Sequence, residues 1–230
     1  MKLCGFQKTT LLDYPGHLAS VIFTGGCNFR CPFCHNRELL AMDVKAAFTP
    51  EEILGVLKKR AGVLEGVCIT GGEPLLQEDL EDFIRDIRKL GLEIKLDTNG
   101  TLPKKLMKLG EEGLLDYVAM DIKNAPEKYG VTAGCPGMDL EKVRESVAWL
   151  KQWGKDYEFR TTVVKELHEE KDFREIGQWI NGAPKYFLQN YVDSDNVLKP
   201  GFSSYSKEEL TRFSEIVMPY VGAVGIRGID

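Results

Sequence analysis

Short apolar runs alternate with amphipathic helical patterns along most of the 230-residue chain. Residues 19–25, 66–70 and 92–98 have the composition of strands, and a helical pattern follows each of them. Strands separated by single helices pair in parallel through right-handed crossovers. The remaining predicted strands are 115–122, 157–164, 185–191 and 223–229. This alternation predicts an α/β fold with a parallel sheet.

The predicted helices carry recognisable start signals. Thr49, Pro50 and Glu52 form a capping box with proline in the first helical position. Ser206 and Glu209 form a second capping box near the end of the chain. These signals set two helix starts independently of the apolar pattern.

The number of units favours an incomplete barrel. About six β/α units precede the last predicted strand, fewer than the eight that close a full barrel. We therefore predict a partial, six-unit parallel β/α barrel that is open on one side. A flatter doubly wound sheet is the alternative. No linker or low-complexity segment divides the chain, so residues 1–230 are predicted to form one domain.

Composition excludes several classes of function. The formal net charge of -5 argues against a nucleic-acid surface. No apolar stretch approaches the roughly 20 residues of a membrane span, so a cytoplasmic protein is expected. Cellular thiols keep cytosolic cysteines reduced, so a cysteine cluster there more often binds metal than forms disulfides.

Polar and reactive residues follow the predicted strands in turn. In parallel β/α domains the groups that react lie at the carboxyl ends of the strands. The segments concerned are the cysteine loop at about 25–37, TGGEP at 70–74, DTNG at 97–100, DIK at 121–123, Arg160 within its strand, and QN at 189–190. Each alone is typical of an ordinary turn. Their shared position predicts one site at that edge of the sheet.

Three of the six cysteines are concentrated in the first of these loops. Cys27, Cys31 and Cys34 have the spacing C-x3-C-x2-C. Structural zinc normally needs four ligands, and His35 is adjacent to Cys34 and poorly placed to turn back as the fourth. A cubane iron-sulfur cluster fits better, because it can take three thiolates and keep one iron open for another ligand. Zinc and three incidental cysteines remain the alternatives.

The motifs together resemble the radical S-adenosylmethionine superfamily. CNFRCPFC is similar to its cysteine signature, with Phe33 in the aromatic position, and GGEP follows one β/α unit later. LLDYPG, TGGEPLLQ, LDTNG and MDIK look most like the glycyl-radical-enzyme activases. Among these, the resemblance is strongest to anaerobic ribonucleoside-triphosphate reductase activating proteins, with pyruvate formate-lyase activating enzyme more distant. The family's six-unit partial barrel agrees with the number of units counted above.

The resemblance implies the cofactors. Cys27, Cys31 and Cys34 would hold a 4Fe-4S cluster, and the amino and carboxylate groups of S-adenosylmethionine would chelate the open iron. Reductive cleavage would give methionine and a 5'-deoxyadenosyl radical, a species that needs a shielded site. A low-potential electron donor such as flavodoxin or ferredoxin is implied as well.

The resemblance also implies the residues around S-adenosylmethionine. Glu73 would receive the methionine ammonium, and Lys123 would pair with the carboxylate or assist the sulfonium's departure as a catalytic residue. Asp97 and Asp121 can also hold a monovalent cation in relatives. Phe33, His35 and Asn36 would border the adenine. The full implied contact set is Phe33, His35, Asn36, Gly71, Gly72, Glu73, Pro74, Asp97, Thr98, Asn99, Asp121, Lys123 and Arg160.

The remaining cysteines and histidines are assigned structural roles. Cys68 lies in an apolar run and is expected in the core. Cys4 and Cys135 are too scattered to ligate a second cluster. His17 and His168 are expected at the surface or in turns.

Three functions remain open. The preferred one is an activase that removes a hydrogen from a glycine of a partner glycyl-radical enzyme, such as anaerobic ribonucleotide reductase. The second is a radical S-adenosylmethionine enzyme of the same fold that acts on a different substrate. The third is a non-catalytic metal-binding or redox module, which would not bind S-adenosylmethionine.

Overall fold

The computed structural model describes residues 1–229. Their strands are Leu3–Thr10 (β1), Ala19–Thr24 (β2), Gly66–Gly71 (β3), Glu93–Thr98 (β4), Tyr117–Asp121 (β5), Asp156–Val163 (β6), Tyr186–Asn190 (β7) and Val224–Arg227 (β8). Their α-helices are Pro50–Arg60 (α1), Leu80–Arg88 (α2), Pro103–Glu111 (α3), Tyr129–Thr132 (α4), Leu140–Leu150 (α5), Glu170–Trp179 (α6) and Lys207–Val217 (α7). Short 3-10 helices cover Arg37–Leu39, Pro74–Leu76 and Met218–Tyr220.

The strand order follows the order of the chain, from β1 to β8. β2, β3 and β4 pair in parallel, and so do β6, β7 and β8. The predicted α/β class and parallel sheet are therefore confirmed, and an open sheet of sequential order is consistent with a partial barrel. No helix within residues 1–229 is long and apolar enough to cross a membrane.

β1 was missed by the sequence analysis. It pairs antiparallel with β2 and precedes the first predicted strand. Its sequence, LCGFQKTT, has three exposed residues in a row near its end, so it lacks the apolar run by which the other strands were recognised.

Contacts divide the chain into two compact units. The first unit contains residues 1–28, 38–98 and 102–118, and the second contains residues 29–37, 99–101 and the chain from 119 onwards. The prediction of one domain over residues 1–230 stays a prediction.

In the first unit, helix α2 packs against β4 and α1. Four apolar residues of α2, Leu80, Phe83, Ile84 and Ile87, are buried. Val67, Ile69 and Ile94 are fully buried on the strands. The capping box at the start of α1 is present as predicted, with Thr49 and Glu52 bonded to each other's backbone.

In the second unit, α6 and α7 pack against each other. The rings of Phe173 and Phe213 are stacked there with centroids 4.4 Å apart. The capping box of Ser206 and Glu209 at the start of α7 is confirmed.

Candidate functional site

The first unit brings three predicted segments to one edge of its sheet. β2, β3 and β4 run in parallel, so their carboxyl ends lie along the same edge. The segments 25–27, 71–73 and 97–98 are at these ends. Within this unit, the predicted convergence of Cys27, the TGGEP segment and the start of the DTNG segment has a direct structural basis.

Two glycines let neighbouring loops touch through their backbones. Gly71 has a φ of 111°, a conformation that side-chain-bearing residues rarely adopt. A Cβ atom on Gly72 would lie 2.1 Å from the carbonyl oxygen of Gly26. Instead, the amide of Gly72 donates to the carbonyl of Thr24 at 2.8 Å, and the amide of Glu73 donates to Gly26 at 2.8 Å. The TGGEP loop is thereby attached to the start of the cysteine loop.

The carboxylate of Glu73 is buried and held in one orientation. Its Oε1 accepts from the amide of Leu75 at 3.1 Å and from the hydroxyl of Thr98 at 2.8 Å. Glu73 is also the N-cap of the 3-10 helix Pro74–Leu76, which explains the proline that follows it. A buried carboxylate with this support is suited to receive a cationic group. Its assignment to the methionine ammonium stays a prediction.

A lysine that the sequence analysis missed lies beside Asp97. Lys95 and Asp97 are two residues apart on β4 and therefore share a face of the sheet. The Lys95 ammonium contacts Asp97 Oδ1. Lys95 is only 2% exposed. A lysine inside an apolar run, two residues before an aspartate, was the available signal for this pair.

The second unit holds the rest of the cysteine loop. The amide of Cys34 donates to the carbonyl of Cys31 at 3.0 Å, which closes a tight turn. The amides of Leu198 and Lys199 donate to the carbonyls of Cys34 and Pro32 at 3.0 and 2.8 Å. The loop after β7 therefore braces the backbone of two cysteine-loop residues.

The cysteine side chains fit a metal centre by their chemistry. Cys27 and Cys31 are buried, Cys34 is half-buried, and none of the chain's six cysteines forms a disulfide. Soft thiolates are the ligands that iron-sulfur clusters take. Within residues 1–229, no group of three or more His, Cys, Asp or Glu side chains is arranged to hold a single metal ion. The three-cysteine cluster site stays a prediction.

Charge and burial oppose each other at Cys31. Burial raises the pKa of the Cys31 thiol to about 11, although the Lys123 ammonium acts to lower it. Without a metal, this thiol holds its proton at neutral pH. If Cys31 binds a metal as its thiolate, as predicted, binding would release this proton.

The residues predicted at the adenine differ in their surroundings. Phe33 is buried. His35 is exposed, with Nδ1 3.3 Å from the hydroxyl of Ser194 and its ring 5.6 Å from that of Tyr191. Asn36 is half-buried. Their assignment to the adenine stays a prediction.

Asp121 is the centre of an ion-pair group in the second unit. Arg160 Nε contacts one carboxylate oxygen at 2.5 Å, and Lys123 Nζ contacts the other at 2.7 Å. Burial alone would raise the pKa of Asp121, but the Arg160 guanidinium and the Lys123 ammonium hold it well below its usual range. Burial alone would lower the pKa of Lys123, and the Asp121 carboxylate raises it above its usual range. All three groups are charged at neutral pH.

The backbone that carries Lys123 is fastened by side chains. His168 Nδ1 accepts from the amide of Val164 at 3.1 Å, so its Nε2 carries the proton and donates to the carbonyl of Lys123 at 2.8 Å. Tyr129 donates to the carbonyl of Asp121 at 3.2 Å. His168 was expected at the surface or in a turn; it is not at the surface, because it is 2% exposed, but it closes a turn in which its amide donates to the carbonyl of Val164 at 2.9 Å. Its sequence context, a polar stretch before a helix, carried no sign of burial.

Three further residues considered in the sequence analysis are Asn99, Cys68 and His17. Asn99 Oδ1 accepts from the amide and hydroxyl of Thr101 at 3.0 and 2.6 Å, which forms a turn. Cys68 is buried in β3, as expected. His17 lies half-buried in a turn, with Nδ1 2.9 Å from the carbonyl of Pro15.

Charged side chains lie near the strand ends of each unit. In the first unit, the Lys95 ammonium contacts Asp97, and the Glu73 carboxylate accepts from Leu75 and Thr98. In the second unit, Lys123 and Arg160 both contact the carboxylate of Asp121. A group with two cations and one carboxylate is suited to an anionic ligand atom.

A family model matches most of the chain. The model, described as the radical SAM superfamily, covers residues 21–180. The matched region contains all three loop cysteines and every residue predicted to contact S-adenosylmethionine.

Individual relatives differ in how much of their length is matched. A Methanocaldococcus jannaschii protein, provisionally described as a glycyl-radical enzyme activating enzyme, is 30% identical over 98% of this chain and 95% of its own length. The GTP 3',8-cyclase of Aquifex aeolicus is 31% identical over 70% of this chain, but the match covers 52% of its own length.

Solved structures have the same fold. A domain of pyruvate-formate lyase-activating enzyme from Bacteroides vulgatus aligns with a TM-score of 0.58 at 19% identity. The alignment covers 71% of this chain and 99% of that domain.

Proposed function

The chain belongs to the radical SAM superfamily, and from this premise we propose that it is an activating enzyme that takes a hydrogen atom from a glycine of a partner enzyme. The family's 4Fe-4S cluster and S-adenosylmethionine supply the chemistry when bound: one electron cleaves the sulfonium to methionine and a 5'-deoxyadenosyl radical, which takes the glycine hydrogen and becomes 5'-deoxyadenosine. The product on the partner is a glycyl radical.

The surroundings of individual predicted residues support the cofactor part of the proposal. The methionine part of S-adenosylmethionine is an ammonium and a carboxylate on one carbon. Glu73 has an oriented buried carboxylate for the ammonium, and Lys123 and Arg160 offer cations for the carboxylate. We propose that Cys27, Cys31 and Cys34 hold the cluster.

The contacts of Lys123 support a role in positioning. Its ammonium is anchored by Asp121, and its backbone is anchored by His168. A cation fixed in this way can orient a carboxylate without loss of side-chain entropy on binding. We therefore keep Lys123 as the proposed catalytic lysine.

The observation that carries the activase assignment is the extent of the match to the Methanocaldococcus jannaschii relative. This chain spans 95% of that protein but about half of the GTP 3',8-cyclase. A match over almost the whole length of both chains favours the reaction type given for that relative over that of the cyclase. A protein partner that offers its glycine on a loop fits this small architecture.

A second candidate is a radical SAM enzyme of the same fold that acts on a small molecule. The similarity to the GTP 3',8-cyclase of Aquifex aeolicus favours it, since that enzyme is 31% identical over 70% of this chain. GTP is therefore the first small-molecule substrate to test. Consumption of GTP with formation of 5'-deoxyadenosine would replace the activase proposal.

The first experiment tests the cofactor chemistry. The protein is reconstituted with iron and sulfide under anaerobic conditions, reduced with dithionite and mixed with S-adenosylmethionine, and 5'-deoxyadenosine is measured. We expect product with the wild-type protein and none with Cys31→Ala, because a cluster with two cysteine ligands is not retained. Cys135→Ala is the matched control and should keep the activity. Equal product from both variants would contradict the proposed cluster site.

The second experiment tests the partner. The reduced protein is incubated with an anaerobic ribonucleotide reductase or with a pyruvate formate-lyase, and each mixture is examined by electron paramagnetic resonance. We expect the doublet of a glycyl radical in one mixture, together with an increase in 5'-deoxyadenosine. Replacement of the partner's radical-site glycine by alanine should abolish both signals. A signal that survives this replacement would contradict hydrogen abstraction from the glycine.

A further inference from the structure

Lys95 is a buried cation inside a strand. Its ammonium contacts Asp97 Oδ1, lies 3.7 Å from the sulfur of Cys68 and 6.0 Å from the centroid of the Tyr117 ring. The side chains of Lys95 and Asp97 are 3% and 12% exposed. Burial of an ammonium is unfavourable unless an anion accompanies it. Lys95 and Asp97 are therefore treated together as one buried ion pair.

Asp121, the other strand-end aspartate, is also occupied by cations of the chain. Each of its carboxylate oxygens contacts a different cation, Arg160 on one side and Lys123 on the other. These side chains are 13% and 14% exposed, so solvent screens the contacts little. No anionic excess is left in this group to attract a further cation.

The resemblance described above implies that the two aspartates can hold a monovalent cation. Such an ion would have to replace an ammonium or guanidinium that is covalently attached and already in contact with the carboxylate. A tethered cation competes at a high effective concentration. The residues of this chain therefore do not fit a bound monovalent cation at either aspartate.

We propose that Lys95 is the built-in cation of Asp97, and that this chain binds S-adenosylmethionine without a bound monovalent cation. Lys95 is then a positioning residue that acts through Asp97. The inference rests on the proposed S-adenosylmethionine site, and the experiment below separates the two.

The wild-type test measures binding rather than turnover. The reconstituted protein is dialysed to equilibrium against radiolabelled S-adenosylmethionine in sodium, potassium or tetramethylammonium chloride at one ionic strength, so that screening is constant. Tetramethylammonium is too large to take the place of a metal ion between carboxylate oxygens. We expect dissociation constants that agree within about 2-fold in the three salts.

The outcomes of this test are distinct. A loss of about 5-fold or more in tetramethylammonium, restored by sodium or potassium, would overturn the inference but leave the proposed function standing. Absence of binding in all three salts would overturn the proposed function and the inference with it. The line width of the sodium-23 resonance gives a second readout, and saturable broadening by the wild-type protein would also overturn the inference.

Lys95→Met tests the role of the lysine itself. The substitution keeps the length of the side chain and removes the charge, so Asp97 should become able to take a cation. We expect weaker binding in tetramethylammonium and a recovery of about 5-fold in sodium or potassium chloride. Equal affinity in the three salts would show that Lys95 does not act as the cation of Asp97.

Lys89→Met is the matched control. Lys89 pairs with Asp86 three residues away at 2.7 Å, but its side chain is 73% exposed. This variant should bind S-adenosylmethionine like the wild type in every salt. If Lys95→Met does not fold, the wild-type measurements in the three salts still decide the question.

Discussion

Two aspartates near the carboxyl ends of consecutive strands, Asp97 on β4 and Asp121 on β5, are neutralised differently. Asp97 contacts the ammonium of Lys95, which precedes it on the strand and is buried. Asp121 contacts two cations, Lys123 and Arg160, whose side chains are 14% and 13% exposed. The Lys95 pair brings one cation to one carboxylate, whereas Lys123 and Arg160 bring two cations to the carboxylate of Asp121. The same residue type is therefore held by a neighbour on its own strand in one unit and by side chains from two segments of the chain in the other.

Removal of the Asp121 charge should have the largest effect on stability. Asp121→Asn leaves Lys123 and Arg160 close together without an anion, and arginine cannot release its proton. We expect the free energy of unfolding at pH 7 to fall by about 4 kcal/mol, in the range for a broken buried ion pair. Urea unfolding of the metal-free protein measures this loss.

The control for Asp121→Asn is Asp86→Asn, which breaks an exposed pair with Lys89. Its expected effect is below about 0.5 kcal/mol. If the two substitutions cost the same, the ion pairs of Asp121 contribute no more than those at the surface.

Asp97→Asn should have a smaller effect. It leaves a single buried ammonium, and a lysine can lose its proton where an arginine cannot. We expect a decrease of about 2 kcal/mol in the free energy of unfolding at pH 7. The double variant Lys95→Met with Asp97→Asn removes both charges and should recover part of this loss. A double variant less stable than the sum of the single ones would contradict a direct pair.

The smallest expected effect on the free energy of unfolding concerns His168. It is the only one of these effects that appears in mild acid. Burial lowers the pKa of His168, partly offset by its hydrogen bonds to Lys123 and Val164 and by the nearby Asp172 carboxylate, while Lys128 adds to the lowering. The unfolded chain therefore binds a proton below about pH 6.5 that the folded chain does not bind. The stability contribution is present above that pH and is lost as the pH falls through it.

His168→Gln tests this dependence. The free energy of unfolding is measured at pH 7.0 and at pH 5.5. Its decrease between these two pH values should be larger for the wild type than for the variant. A single proton limits the difference to about 1.4 kcal/mol per pH unit. Parallel profiles of His168→Gln and the wild type would mean that His168 does not stay neutral in the fold.

Much of the fold was predictable because it rests on local patterns. Apolar runs, helix stripes and capping boxes depend on residues close in sequence, and the strands β2 to β8 and the starts of α1 and α7 were predicted from them. β1 was not, because its stability comes from its pairing with β2 rather than from its own apolar content.

The candidate site was predictable in its residues but not in their contacts. Four of its residues lie at or just after the ends of strands: Glu73, Asp97, Asp121 and Lys123. Parallel pairing brings such strand ends to the same edge of a sheet, which is why these residues could be predicted. Lys95 and His168 were missed, since neither lies in a recognisable motif and their importance depends on burial. The sequence also did not predict that Glu73 both caps a 3-10 helix and accepts a hydrogen bond from Thr98.

The sequence by itself determined the α/β class, the three-cysteine loop and the order of polar segments at the strand ends. Each of these features depends on residues that are close together along the chain. Only the tertiary structure decided the charge of each group. Whether a carboxylate is compensated depends on which cations the fold brings within about 3 Å of it and on how far water is excluded, and both are set by residues distant in sequence.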